Sequence, residues 1–360
     1  MRLATLRMEG FRNLAPAELV PGPRLTLLVG PNGQGKTNVL EAVHLLLTGQ
    51  PLRTEQAREC IAWDGDHFSL AGVVDSDTAG RIHLAHSLSR QPHSRRRTGP
   101  VLPVVAFRPD DLELVKGGPE GRRRYLDLAI APVDARYRTA WQRYQRALAQ
   151  RNRSLRDWAA ATGSPRHALE GVLEGYARLL AAEGAYVWRA RRQFLEALAP
   201  YVGEASAQVG AGERLRLRLV PGGTREPAEE PAAFLAALAS RGVEERQRGV
   251  TLVGPHRDEV VLELDGREAG RFGSQGQQRT VALALRLALF HWFRSRWGEA
   301  PMVLLDDVFS ELDQERRRRL LAFVAGAEAQ TLVTDTEGGR YRDLRPVVLA
   351  VEAGHLVREA

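Results

Sequence analysis

The residues best suited to chemistry lie in GPNGQGKT, Gly30 to Thr37, between an apolar run (LTLLV, Leu25 to Val29) and the helix-like NVLEAVHLLLTG, which stops at Gly49. A glycine-rich turn made of Gly30, Pro31, Asn32, Gly33, Gln34 and Gly35 lets backbone N–H groups wrap phosphate oxygens at a helix N-terminus. Lys36 would then reach the β- and γ-phosphates, and the Thr37 hydroxyl would ligate Mg²⁺. An ordinary glycine loop joining strand to helix is the alternative. The complete pattern G-x-x-x-x-G-K-T, in that structural place, favours a nucleotide site.

A second stretch, PMVLLDDVFSELD (Pro301 to Asp313), reads as an apolar strand ending in two carboxylates. Taken alone it is a buried strand running into a solvated acidic turn. Beside a phosphate loop it acquires roles: Asp306 would hold Mg²⁺ directly or through water, and Asp307 would orient and deprotonate the attacking water. A third stretch, FGSQGQQRT, places Ser274, Gln275 and Gly276 just before a long helix. Gly-Ser turns commonly cap helices, so this signal is weak until its place, some thirty residues before the two aspartates, is taken into account.

These residues need elements to hold them, and the texture along the chain supplies them. The first hundred residues read as strands around one helix, with HFSLAGVV and RIHLAHSLS as paired strands joined by the turn from Asp75 to Gly80. From Pro119 to about Pro200 the chain becomes helical and rich in Ala, Leu and Arg, broken at Ala161 to His167. A strand (ERLRLRLV), a loop, a helix to about Arg248 and a hairpin (VTLVGPHRDEVVLELDG) follow. The end returns to α/β, with a helix from Gln275 to Trp297, the strands MVLLDD and AQTLVTD, and last strands near Val347 and His355. The expected organisation is an α/β lobe at 1–118, a mainly helical insert at 119–248, and the rest of the α/β lobe at 249–360.

Composition bounds the function. The 360 residues are 44% hydrophobic and carry a net charge of +7, which is a globular rather than a disordered balance. One cysteine, Cys60, cannot make an intrachain disulfide or a cysteine-based zinc site. The charged N-terminus and the short apolar run Val281 to Phe290, interrupted by Arg286, argue against a secretory leader or membrane span, so a cytoplasmic protein is expected.

Of the 51 basic residues, 49 are arginines, Lys36 and Lys116 being the two lysines. The arginines cluster: residues 78–108 carry six and no acid, and residues 120–157 carry ten against four acids, leaving the remainder net acidic. Such patches suit a nucleic-acid backbone, or simply a solvated face. Arg95, Arg96 and Arg97, in a loop-like stretch, and Arg136, Arg143, Arg146 and Arg153, on one arc of the helix at Val133 to Leu155, are the candidate phosphate contacts. Tyr137, Trp141, Tyr144, Leu148 and Leu155 form that helix's apolar stripe and belong to a core.

The order of these motifs resembles the ABC-type P-loop ATPases. More narrowly, GFRN, GPNGQGKTN, FRPDDLELVKGGPEGRRRYLD, GPHRD, FGSQGQQRT and LLDDVFSELD resemble the RecF family of bacterial recombination and repair ATPases, relatives of the SMC heads, along the whole chain. The resemblance implies an ATPase head with an inserted helical second lobe, in which Ser274, Gln275 and Gly276 touch the ATP held by a partner copy. It also implies an ATP-dependent homodimer and binding to double-stranded DNA and single-strand/double-strand junctions. Further implications are aid in recombinase loading, RecR and RecO as partners, and slow hydrolysis that serves as a switch.

SELD, Ser310 to Asp313, resembles the loop that crosses such dimer interfaces, and Arg12 and Arg53 resemble arginines near the nucleotide, or are strand-end and loop residues. Two departures stand out. Asp307 replaces the usual glutamate and is one methylene shorter, and Thr334 and Asp335 stand where a histidine is usual. The role of His256 in GPHRD is open. An SMC-type bridging head would need hundreds of heptad residues that the insert, of roughly 130, does not have. A transporter ATPase subunit would not need basic clusters, and a nucleotide kinase leaves FGSQGQ and SELD unexplained.

Overall fold

In the computed structural model, which describes residues 1–54, 56–210, 212–311, 313–336 and 339–358, the strands are β1 (Arg2–Glu9), β2 (Ala17–Leu19), β3 (Leu25–Val29), β4 (His67–Ser76), β5 (Gly80–Ser89), β6 (Ser94–Thr98), β7 (Val104–Phe107), β8 (Leu215–Val220), β9 (Glu259–Leu264), β10 (Arg267–Glu268), β11 (Met302–Asp306), β12 (Thr331–Asp335), β13 (Val347–Glu352) and β14 (His355–Arg358). The helices are α1 (Lys36–Thr48), α2 (Leu112–Lys116), α3 (Pro119–Ile130), α4 (Ala135–Ala160), α5 (Ser164–Val209), α6 (Pro231–Ser240), α7 (Gly242–Arg248), α8 (Ala269–Phe272), α9 (Gln275–Trp297), α10 (Val308–Glu311) and α11 (Gln314–Gly326). The chain divides into two units, 1–111 with 283–360, and 112–282.

The first unit contains two sheets. Strands β3, β11 and β12 are almost wholly buried because both of their faces are covered. They form the centre of a six-stranded sheet of order β14-β13-β3-β12-β11-β7, parallel except for the terminal β13–β14 hairpin. The other sheet, β2-β1-β4-β5-β6, is antiparallel, and the alternation in β4 and β5 pairs His67 with Ser89 through Ser76 with Gly80, as the sequence pattern predicts. Helix α1 is buried on nearly every side because it packs between these sheets, against Leu6 and Phe68 of one and Leu28, Leu304 and Leu332 of the other. On the far side of the parallel sheet, Phe107, Phe290 and Phe323 pack ring to ring.

The second unit is mainly helical, with a small sheet of order β10-β9-β8. Tyr137, Tyr144, Leu148 and Leu155 of α4 are buried as the stripe predicts, and Trp141 is half-buried, stacked on Tyr144. Gly184 of α5 has a specific reason: a Cβ there would come within 2.6 Å of the Phe234 ring and 2.9 Å of Tyr144.

Three local expectations change. Helix α5 continues through Pro200 to Val209, because Leu198, Val202 and Ala205 on either side of the proline are buried and continuing the helix covers them. The stretch from Thr251 to Gly254 is not a strand, and β9 pairs with β8 instead. The reason is that Glu245 and Asn152 take up the backbone: the Leu252 N–H donates to Glu245 Oε1 (2.7 Å) and the Thr251 N–H to Asn152 Oδ1 (2.8 Å). With β9 tied to β8, residues 249–282 fall in the second unit, where the sequence places them in the α/β lobe. Among the described residues no helix is long and apolar enough to cross a membrane.

Candidate functional site

The register of the parallel sheet builds the site. Strand β12 lies between β3 and β11, pairing Asp335 with Val29 and Thr334 with Asp306. The phosphate loop and the acidic strand end therefore emerge side by side at the carboxyl edge of the sheet, where open α/β sheets bind ligands. The loop runs from Gly30 to Gly35, and Lys36 and Thr37 open α1. Gly30 has φ +147°, and a Cβ on it would collide with the Val351 carbonyl. Gln34 ties the loop to the β13–β14 turn: its side chain accepts from the Ala353 N–H (2.6 Å) and its carbonyl from the Gly354 N–H (3.0 Å).

Lys36 Nζ donates to the carbonyls of Gly30 (2.6 Å) and Pro31 (2.8 Å), folding the ammonium over its own loop. Burial lowers its pKa, with the nearby charges of Asp307, Asp306 and Asp335 opposing that shift. The Thr37 hydroxyl donates to Asp306 Oδ1 (2.7 Å), which also accepts from the Thr334 hydroxyl (2.9 Å). Burial raises the Asp306 pKa, and the Thr37 and Thr334 hydroxyls act against it.

Asp307 is exposed and has φ +47°, a strained conformation for a non-glycine residue. Its N–H donates to the Thr334 hydroxyl (2.9 Å), so Thr334 holds both members of the acidic pair. Sequence reasoning singles out Thr334 only as a departure from a histidine; its work as the bracket between Asp306 and Asp307 is visible in the fold alone. Its neighbour Asp335 is buried and accepts from the Tyr341 hydroxyl (2.7 Å).

Arg12 and Arg53 converge on Glu41 of α1, which is fully buried. Arg12 donates to both its carboxylate oxygens, at 2.9 and 3.3 Å, and Arg53 reaches it at 3.0 Å. Arg53 also bonds Asn38, whose amide donates to Asn13 Oδ1 (2.6 Å), and Asn13 reaches the Gly33 carbonyl (3.4 Å). The two arginines are thus linked to the phosphate loop through Glu41, Asn38 and Asn13. Burial pushes the Glu41 pKa up, but the hydrogen bonds and charges of Arg12 and Arg53 outweigh it and hold the carboxyl below its ordinary 4.5. A Glu41→Gln variant is expected to lose about 1.5–3 kcal/mol in denaturant unfolding, the range for charge-assisted hydrogen bonds. In the wild type the same contribution is present above pH 4.5 and fades as pH falls through the lowered value.

The signature turn lies in the second unit. Ser274 and Gln277 cap α9 reciprocally, the Gln277 N–H donating to Ser274 Oγ (3.2 Å) and the Ser274 N–H to Gln277 Oε1 (2.9 Å). Ser274 and Gln275 remain exposed, and Gly276 is half-buried. Asp313 caps α11 by accepting from the Arg316 N–H (2.9 Å), whereas Leu312 of the SELD stretch lies outside the described residues.

The arginine candidates separate. Arg95 to Arg97 form strand β6, not a loop. Arg95 donates to the Gly49 carbonyl (2.7 Å) and Arg97 to the Leu47 (3.2 Å) and Pro100 (2.7 Å) carbonyls, so both satisfy groups at the C-terminal end of α1; Arg96 is exposed. On α4, Arg136 stacks over Tyr186 (4.0 Å), Arg143 pairs with Glu183 (3.3 Å), and Arg146 and Arg153 are exposed. Sequence reasoning misses Arg151, which is buried with its guanidinium on Glu245 (2.6 Å).

The residues fit Mg²⁺ and a nucleoside triphosphate. Among the described residues no group of three His, Cys, Asp or Glu side chains could hold a metal. A cation here would take one hydroxyl, one carboxylate and the phosphates themselves, the usual manner of Mg²⁺.

Known proteins place this arrangement. Residues 5–95 match the model of a family described as "AAA domain". The chain is 41% identical over 354 residues to the DNA replication and repair protein RecF of Anaeromyxobacter sp. (strain Fw109-5), covering 94% of this chain and 93% of that protein. It is 38% identical to RecF of Herpetosiphon aurantiacus, covering 94% of each. A solved structure of the recombination mediator protein RecF-ATP in the RecFOR pathway superposes with a TM-score of 0.87 at 27% identity, covering 99% of this chain and 97% of that one. The Smc head domain from Pyrococcus furiosus shares the fold at a TM-score of 0.52 and 15% identity, covering 99% of this chain and 95% of the other. The fold is accordingly that of an ABC-type ATPase head with a helical insert, and the chain belongs to the RecF family of DNA replication and repair proteins.

Proposed function

We propose that this protein is an ATP-dependent DNA clamp of recombinational repair, dimerising on ATP and acting as a switch. The observation that carries the reading is the contact of the Thr37 hydroxyl with Asp306 (2.7 Å) beside a complete phosphate loop, with an exposed S-Q-G signature on a separate unit. Gly30 to Gly35 and Lys36 hold the triphosphate, and Thr37 and Asp306 hold Mg²⁺, which when bound neutralises charge on the phosphoryl oxygens. Asp307 orients the attacking water. Its side chain is one methylene shorter than glutamate, which favours slow hydrolysis and a timing role.

Ser274, Gln275 and Gly276 of one copy complete the site on the other copy. Nucleotide binding and dimerisation are then coupled, because only the dimer offers both halves of the site. Duplex DNA and single-strand/double-strand junctions are the substrates, with exposed Arg96, Arg146 and Arg153 available to the backbone. Arg95, Arg97, Arg136 and Arg143 have intramolecular partners and are the weaker DNA candidates. RecR and RecO, in the pathway named for the solved relative, are the expected partners in recombinase loading, and the cytoplasm is the expected compartment.

Sedimentation with ATP or ADP, with and without duplex DNA, tests nucleotide, dimer and DNA together. A monomer under all conditions contradicts the reading. A Ser274→Arg variant should bind ATP as a monomer within about threefold of wild type yet fail to dimerise, since the bulky cation enters the interface but not the phosphate loop of its own chain. Loss of ATP binding by the monomer would place the serine in its own chain's site instead.

A further inference from the structure

The GPHRD stretch has no part in the nucleotide site, yet the second unit is organised around it. Asp258 is fully buried, accepting from Trp188 Nε1 (2.7 Å) and the Gly222 N–H (3.0 Å) and pairing with Arg191 (2.7 Å). Gly254 has φ +135°, and a Cβ there would collide with the Tyr144 hydroxyl. His256 lies between Tyr144 and Thr251, its Nδ1 2.6 Å from the Tyr144 hydroxyl and its Nε2 3.2 Å from the Thr251 carbonyl. The carbonyl can only accept, so Nε2 carries the proton and Nδ1 accepts from tyrosine.

This corner forms one wall of a cavity of about 430 Å³ lined by Arg123, Asn152, Val250, Thr251, His256 and Arg257, with no carboxylate among them. Its side-chain oxygens and the Thr251 carbonyl are already engaged. Asn152 Oδ1 accepts from the Thr251 N–H (2.8 Å) and hydroxyl (2.7 Å), and the Thr251 hydroxyl accepts from Arg151 (2.8 Å). The Thr251 carbonyl accepts from His256 and from Arg257 Nε (2.8 Å).

What remains is donors. Arg123 uses one nitrogen on the Asp258 carbonyl (2.9 Å), and Arg257 uses only its Nε; among the described residues neither pairs with a carboxylate. The Asn152 amide N–H groups complete the set. Arg156, whose Cγ would lie 3.0 Å from a Cβ on Gly249, adds positive charge beside the loop. Other surface arginines of this unit differ: Arg143, Arg241 and Arg248 each have a glutamate partner.

We propose that this cleft binds a phosphate group through Arg123, Asn152 and Arg257. The ligand is a phosphodiester of the DNA backbone, an assignment that rests on the DNA-binding reading above. A cluster of guanidinium and amide donors with its side-chain acceptors already engaged is selective for an anion, and forked guanidinium donors match phosphate oxygens. The cleft offers nothing that would read a base edge, so its contribution is independent of sequence.

The test uses the full-length protein with ATP and a fluorescent duplex, measuring affinity against salt concentration. The Arg123→Gln/Arg257→Gln variant should bind about tenfold or more weakly, with a log–log salt slope shallower by about one for each DNA phosphate that the variant leaves unneutralised. Asn152→Asp, which keeps the oxygen that Thr251 needs but puts negative charge in the cleft, should act in the same direction. Arg257→Lys should keep the wild-type slope.

A second measurement follows thermal unfolding with inorganic phosphate against chloride at matched ionic strength. Phosphate should raise the wild-type midpoint and leave the double variant unmoved. If phosphate discriminates while the DNA slope is unchanged, the ligand is a free phosphate and the assignment to DNA is overturned. If neither measurement discriminates, the site is overturned. Wild-type protein that binds no duplex in any nucleotide state defeats the DNA reading itself, and the phosphate measurement still decides the cleft.

Discussion

A Lys36→Met variant is expected to remain monomeric at ATP concentrations that dimerise the wild type, while folding as well as the wild type. The Lys36 ammonium is bonded to the carbonyls of Gly30 and Pro31, and burial lowers its pKa. Burying the charge is therefore a cost to the folded state, and an apolar side chain of similar length is tolerated there. With a triphosphate present the balance reverses, because truncating one partner of a buried, hydrogen-bonded charge pair costs about 2–5 kcal/mol. ATP affinity should fall at least 30-fold, roughly the lower end of that range. Fluorescent-nucleotide titration reads the affinity, sedimentation reads the dimer, and thermal unfolding without nucleotide is the control. A variant that still dimerises with ATP would contradict the phosphate-loop role. One that unfolds without ligand would make the lysine a structural residue.

The largest effect on stability is expected from Arg191→Met. Arg191 is fully buried and joins Asp258 (2.7 Å), Asp127 (2.8 Å), the Tyr137 hydroxyl (3.0 Å) and the Pro255 carbonyl (2.6 Å). Removing it strands a fully buried carboxylate with only the Trp188 and Gly222 donors. Burial already raises the Asp258 pKa, with the Arg191 charge as the chief opposing influence, so the variant should protonate Asp258 or unfold. A loss of roughly 3–5 kcal/mol is the expectation for breaking a buried ion pair. The double variant Arg191→Met/Asp258→Asn should recover part of that loss, because the stranded charge is gone; denaturant unfolding of the four proteins in the cycle measures the coupling. A single variant within about 1 kcal/mol of wild type would mean that the ion cluster does not hold the GPHRD corner.

These two residues mark the limits of what local pattern conveys. Lys36 is legible because its partners are its own sequence neighbours: the loop, its strand and its helix are contiguous, and the spacing of glycine, lysine and threonine follows from how one turn meets a phosphate. The Ser274 turn is legible for the same reason, its cap closing within four residues. Helix α4 shows its apolar stripe by periodicity, which separates inside from outside along one element. Arg191 has no such signal. Its carboxylates come from residues 127 and 258, and only the packing of α3, α5 and the 255–258 turn brings them together. Arg151 is missed likewise, its partners being Glu245 and Thr251.

The abundance of arginine sharpens that limit. In a chain with 49 arginines and two lysines, composition states how much positive charge there is, not where it is available. Arg95 and Arg97 lie in a run that reads as an exposed triplet, yet they complete the end of α1, because pairing β6 with β5 carries their side chains to those carbonyls. Arg123 and Arg257, unremarkable by spacing, line a cavity with no carboxylate in its lining. By itself the sequence determined the phosphate loop, its strand and helix, the acidic strand end and the helical insert, all of which depend on near neighbours. The tertiary structure alone decided that Thr334 brackets Asp306 and Asp307, that Glu41 joins Arg12 to Arg53, and which guanidinium groups already have partners. Those contacts join residues tens to hundreds of positions apart, and hydropathy period and motif spacing carry no information about such pairs.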